Sequence, residues 1–155
     1  MHDGAPLRTA ARGGARRHWA LDRLASLGMD RAAGVAHLRK RREAWLREDV
    51  DAYLSLFDEN FAFSANGVEL INGRHALENA VHRSYLRYRP LAWEFHEIAV
   101  HGSTVLSEWT VTMEERATKT VRSLRAMSVC EIQDGLTVWQ REYRLTAGAD
   151  APPPV

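Results

Sequence analysis

Gly-Leu-Thr-Val-Trp-Gln-Arg-Glu-Tyr, residues Gly135 to Tyr143, reads as a terminal β-strand that carries one acidic side chain, Glu142, in an otherwise apolar setting. Asp134-Gly135 in front of it is a tight-turn dipeptide, and Ser123 to Ile132 upstream is a second extended run, so the two form a predicted hairpin. Strand periodicity puts Val138, Gln140 and Glu142 on one face and Trp139, Arg141 and Tyr143 on the other. The register leaves open which face is inside. A lone carboxylate on the inner one would point to chemistry, because a buried charge is costly to keep.

Upstream of this strand the pattern is extended for a long way. Ala92 to Val100, Thr104 to Glu114 and Thr120 to Ile132 read as three consecutive strands, turned at His101-Gly102-Ser103 and at Glu115 to Lys119. Before them, hydrophobic spacing predicts helices at Ala33 to Leu46 and at Val50 to Phe57. In the second, Val50, Tyr53, Leu54 and Phe57 recur at i, i+3, i+4 and i+7, and Asp49 is a plausible cap. Phe61 to Ala65 and Val68 to Ile71 read as short strands, and Gly73 to Arg87 as a helix stopped by Pro90. Helices first and a strand meander afterwards is an α+β pattern, with the helices covering one face of a curved antiparallel sheet that closes around a pocket. The domain is expected over residues 33–146. Residues 1–32 are expected to be an N-terminal extension, disordered at first and able to make a short helix at His18 to Met29; residues 147–155, with three consecutive prolines, are expected to be a loose tail that cannot join a sheet.

Composition narrows the function. A chain of 155 residues that is 45% hydrophobic can build one domain with a real core, with room for one main site. Its net charge of +1, from 21 basic and 20 acidic residues, makes no field that would gather nucleic acid or an anionic membrane. Cys130, the single cysteine, cannot form an internal disulfide and sits in a strand expected to be buried. The N-terminal stretch lacks the apolar run of a signal peptide or membrane span, so a cytoplasmic protein is expected. No metal site is implied: His96 and His101 face opposite sides of a strand, and His75 and His82 lie two helical turns apart. No phosphate loop or dinucleotide fingerprint occurs, so no cofactor is expected.

Four local patterns, in this order and spacing, carry a resemblance. They are Arg47-Glu48-Asp49-Val50-Asp51 between the first helices, Asn72-Gly73-Arg74 before the third, Val105-Leu106-Ser107-Glu108-Trp109 in a central strand, and Asp134-Gly135 through Arg141-Glu142-Tyr143 at the end. From Ala33 to Leu145 the chain resembles the SnoaL-like branch of the nuclear-transport-factor-2-like superfamily. Polyketide cyclases, limonene-epoxide hydrolases and ketosteroid isomerases share a cone-shaped fold, and the resemblance implies it here: a curved antiparallel or mixed sheet wrapped by three to four helices from the N-terminal half. Most of the residues such enzymes use do not carry over. The Arg-x-Asp pair of the epoxide hydrolases falls on Trp109 and Val111, and their Tyr-x-Asn on Phe63 and Ala65. The general base of the ketosteroid isomerases falls at Ala65, and their oxyanion-hole tyrosine near Arg41. The acidic position of the last strand survives as Glu142, which the resemblance makes the acid/base of a SnoaL-like cyclase.

The expected site is therefore Glu142, its pKa raised by desolvation between Trp109, Phe63 and Val111, with His96 as a candidate second acid/base group. The alternative for Glu142 is an ion pair with Arg141 or Arg125 at the rim. Trp109 is a candidate to stack a flat ligand, Tyr53 to donate its hydroxyl, Gln140 to orient a ligand carbonyl, and Phe63, Val111 and Phe57 to line the walls. Tyr85 and Tyr88 read as a solvated helix end. The expected activity is cofactor-independent cyclisation, isomerisation or dehydration of a small hydrophobic, carbonyl-bearing metabolite such as a polyketide intermediate. A non-catalytic ligand-binding or assembly module, its N-terminal segment with Trp19 and Leu24 serving association, is the alternative; epoxide opening with an incomplete acid pair is the third reading. The resemblance also implies a homodimer through the outer sheet face.

Overall fold

Asp30 opens the first helix: its carboxylate accepts the Ala33 backbone N–H at 2.7 Å, satisfying a donor the first turn leaves free. In the computed structural model, which describes residues 29–145, this helix is α1, Arg31–Leu46. It is followed by α2 (Val50–Leu54), β1 (Phe57–Ala65), β2 (Val68–Asn72), α3 (Arg74–Arg87), β3 (Tyr88–His101), β4 (Thr104–Glu115), β5 (Val121–Gln133) and β6 (Leu136–Arg144). The expected helix at His18 to Met29, apart from Met29 itself, and the proline-rich tail lie outside the described residues.

The six strands form one curved mixed sheet in the order β2-β1-β6-β5-β4-β3, antiparallel throughout except where β1 runs parallel to β6. This is the expected α+β architecture. The hairpin between β5 and β6 turns at Asp134 and Gly135, with φ of 49° and 79°, the two positive angles that a two-residue turn of matching twist demands. The helices cover the concave face. α1 packs on β3 closely enough that a Cβ on Gly34 would stand 2.8 Å from Val100 Cγ2. A large apolar cluster between helices and sheet holds Trp45, Phe57, Phe61, Trp93 and Trp109, and a smaller one beneath α1 holds Leu38, Val105, Cys130 and Ile132. No helix among the described residues is long and apolar enough to cross a membrane.

Four local expectations are corrected. The second helix ends at Leu54, and Phe57 begins β1 instead of closing the helix; its side chain is fully buried all the same. β3 begins at Tyr88, so Pro90 stands inside a strand. It is accommodated because β3 is an edge and the ladder skips a residue between Pro90 and Ala92. Tyr85 and Tyr88 are buried, and Tyr85 donates its hydroxyl to the Trp45 carbonyl at 3.1 Å. In β6 the register passes from Glu131↔Trp139 to Ile132↔Thr137, leaving Val138 as a bulge. Thr137, not Val138, therefore takes the inward position ahead of Gln140 and Glu142.

Candidate active site

Between the concave face and the helices lies a cavity of about 80 Å³. About 10–15 Å³ is the least that holds one water, so there is room for several waters or a small ligand. Its walls are aromatic and aliphatic. β1 supplies Phe57, Phe61 and Phe63, β4 supplies Trp109, Val111 and Met113, β3 supplies Trp93, and α1 and α2 supply Trp45 and Tyr53. Three charged side chains reach the lining: Arg41, Glu142 and Arg144.

Those charges belong to one network. Glu142, 5% exposed, accepts from Arg144 Nε at 2.6 Å through Oε1, and Gln140 Nε2 approaches its Oε2 at 3.5 Å. The Gln140 carbonyl in turn accepts from Arg41 Nη1. Arg41 Nε donates to the Tyr53 hydroxyl at 3.2 Å. Arg41, 8% exposed, also stands over three rings, with its Cζ 5.6, 5.1 and 5.2 Å from the centroids of Tyr53, Phe57 and Trp93. Aromatic faces stabilise a cation that burial has stripped of water. The strand end carrying Glu142 and Arg144 is held by Asn66, whose backbone N–H donates to the Glu142 carbonyl at 2.8 Å and whose Oδ1 accepts the Arg144 N–H at 2.9 Å.

One helical turn before Arg41, His37 is buried with Nε2 2.9 Å from Thr137 Oγ1. Burial first, and then the charges of Arg41 and Lys40, push its pKa from 6.5 down to about 4, so the imidazole is neutral near pH 7. Burial likewise pushes the Cys130 thiol up to about 11, consistent with a core residue. Trp93 keeps a buried indole N–H without a hydrogen-bond partner among the described residues. Such a group costs roughly 1–3 kcal/mol.

Of the residues expected from sequence, Glu142, Trp109, Phe63, Tyr53, Val111 and Phe57 all line the cavity. Gln140 is buried but bridges Arg41 and Glu142 instead of lining the wall. His96 does not join them: it is exposed, and its Nε2 lies 2.8 Å from Thr110 Oγ1. A bulge between Phe95 and Glu97 accompanies that placement. The arginine that pairs Glu142 is neither Arg141, which covers Trp139, nor Arg125, which pairs with Glu108. Arg144 and Arg41 were the residues missed, although Arg144 shares strand parity with Glu142, and Arg41 continues the buried stripe of Leu38 and Trp45 on α1. Trp109 is fixed by its indole N–H to Ser128 Oγ at 3.1 Å, which holds its ring as wall. Among the described residues no cluster of three or more His, Cys, Asp or Glu side chains has the geometry to hold a metal ion.

This geometry can be set beside known proteins. The family model for the SnoaL-like domain matches residues 38–140. No curated protein gives a significant match. Among solved structures, an LEH-like epoxide hydrolase of M. tuberculosis superposes with a TM-score of 0.65 at 19% identity, over 74% of this chain and 84% of that one. A candidate isomerase from Bacillus subtilis gives 0.67 at 21%, over 74% and 87%. A candidate polyketide cyclase from Xanthomonas campestris pv. campestris gives 0.60 at 22%, over 73% and 90%. At these identities the likeness extends to the fold.

Proposed function

The chain belongs to the SnoaL-like domain family, and on that premise we propose that it is a cofactor-independent acid–base enzyme. It cyclises, isomerises or dehydrates a small hydrophobic, carbonyl-bearing metabolite such as a polyketide intermediate. The observation that carries this reading is the placement of Glu142, the one carboxylate that lines an aromatic cavity among the described residues. In the proposed step the Glu142 carboxylate takes a proton from carbon next to the substrate carbonyl. The C–H electron pair moves into the enolate, charge develops on oxygen, and the proton is later returned to another atom of the substrate. The aromatic walls exclude water and hold one reactive conformer.

Epoxide opening is the weaker enzymatic reading, because it needs a second acid beside Glu142, and among the described residues no other carboxylate lines the cavity. A non-catalytic binding module is the second reading. It is favoured by the Arg144 ion pair, which occupies one oxygen of Glu142. A homodimer belongs to the proposal too; the outer sheet face, where Leu106, Met127 and Tyr143 are exposed, would be its interface, and sedimentation would give the mass.

Exchange of α-hydrogen for deuterium in small apolar ketones, followed by NMR, tests the proton transfer without knowledge of the product. The wild-type protein is expected to accelerate exchange, and Glu142→Gln to lose about 100-fold of that acceleration with an unchanged circular dichroism spectrum. Equal rates for the two proteins would remove Glu142 from the chemistry and leave the binding module.

A further inference from the structure

We infer that the ligand of this cavity is an anion: a planar oxyanion, its charge shared over two oxygens as in a carboxylate or an enolised β-dicarbonyl, seated on Arg41 and carried by a small apolar body. The inference rests on the reading of the cavity as the substrate site, but not on proton transfer by Glu142.

The first support is the charge count at the cavity. Two guanidinium groups and one carboxylate reach its lining, and Arg144 is already paired with Glu142. Arg41 is left over. Its hydrogen bonds go to two neutral groups, the Tyr53 hydroxyl and the Gln140 carbonyl. A guanidinium that is 8% exposed and has no counter-ion among the described residues is expensive to bury, and stacking against three rings offsets only part of that cost. A ligand anion supplies the missing charge.

The second support is an unused donor. Arg41 Nη2 donates to no protein atom among the described residues and is not fully enclosed. A two-oxygen anion matches the guanidinium fork. The Tyr53 hydroxyl accepts from Arg41 and so keeps its own hydrogen to donate.

Glu142 does not oppose such a ligand, because Arg144 neutralises it and Gln140 separates it from Arg41. The apolar remainder of the ligand would lie against Trp109, Phe63 and Met113.

The test is a calorimetric titration of the full chain at pH 7.5 with benzoate and with benzamide, which match in shape and differ in charge. Benzoate is expected to bind about tenfold or more tightly than benzamide, the usual margin of a charge-assisted hydrogen bond. Arg41→Gln should bring the two affinities to within about twofold of each other. Where circular dichroism shows that this variant does not fold, Arg41→Lys takes its place: it should weaken benzoate while leaving benzamide unchanged. Equal binding of the two by the wild-type protein, or a benzoate preference that survives Arg41→Gln, would overturn the inference and leave the proposed proton transfer standing. Binding of neither would overturn both the inference and the reading of the cavity as a substrate site.

Discussion

His37 gives the structure a pH dependence that can be worked out before it is measured. In the fold its pKa lies at about 4, whereas the unfolded chain has the ordinary 6.5. Desolvation is the main cause, reinforced by Arg41 and Lys40 and opposed by a hydrogen bond with the Gly135 backbone. Between those two values the unfolded chain binds a proton that the native chain refuses. Stability is therefore fully present above pH 6.5 and is lost as the pH falls toward 4. The whole interval bounds the loss at about 3 kcal/mol, and the part falling between pH 7 and pH 5 comes to about 2 kcal/mol.

Urea unfolding at pH 7 and pH 5 reads this directly. His37→Gln is the proper comparison, because an amide can still bond to Thr137 Oγ1 but does not titrate. Other groups contribute to acid unfolding in both proteins and cancel in the difference. The wild type should lose about 2 kcal/mol more than the variant over those two pH units. Equal losses would refute the reasoning, since they would mean that His37 takes up its proton as readily inside the fold as outside it.

Two further outcomes follow from packing and charge. The Arg144–Glu142 pair has side chains 8% and 7% exposed, so Arg144→Met should destabilise by roughly 3–5 kcal/mol, while replacing both residues by Met should restore most of the loss. A single-variant loss under about 1 kcal/mol in denaturant titrations would mean that water already screens the pair. Gly34→Ala should lower the melting temperature: helix propensity favours alanine by about 1 kcal/mol, but the new Cβ meets the stiff Val100 Cγ2 at 2.8 Å. A rise in melting temperature would show that α1 and β3 move apart freely.

The meander from β3 to β6 was legible because each strand ends at a turn of recognisable chemistry, above all Asp134-Gly135 with its two positive φ angles. The boundary between α2 and β1 was not, because Phe57 satisfies helical spacing and also begins a buried strand; a short apolar run does not separate the two periods. Pro90 looked like a stop because proline lacks an N–H, and only the sheet order reveals that β3 is an edge that tolerates it. Val138 was assigned by strict alternation, which a bulge breaks without any sign in the residues themselves. In the site, alternation put Gln140 and Glu142 on one face without telling which face is inside, whereas Arg41 was passed over because arginine ordinarily faces water. Its place on the buried stripe of α1 was the available signal.

At the positions where the resemblance would place polar groups, Trp109, Val111, Phe63 and Ala65 are buried and apolar. The charged side chains of the lining stand instead on α1 and at the end of β6. Gln140 joins them with a fixed sense: its carbonyl accepts from Arg41 and its amide nitrogen faces Glu142. Reversing the amide would set donor against donor at one end and acceptor against acceptor at the other, so the two neighbours determine its orientation. The cavity consequently has the cation of Arg41 on one side of Gln140 and the mutually neutralised pair of Glu142 and Arg144 on the other. The proposed removal of a proton beside a carbonyl would use both sides, with Glu142 as the base and Arg41 as a fixed positive group for the charge that develops on oxygen. The shared fold accounts for the cavity, and the proposed chemistry depends on which of its lining residues carry charge.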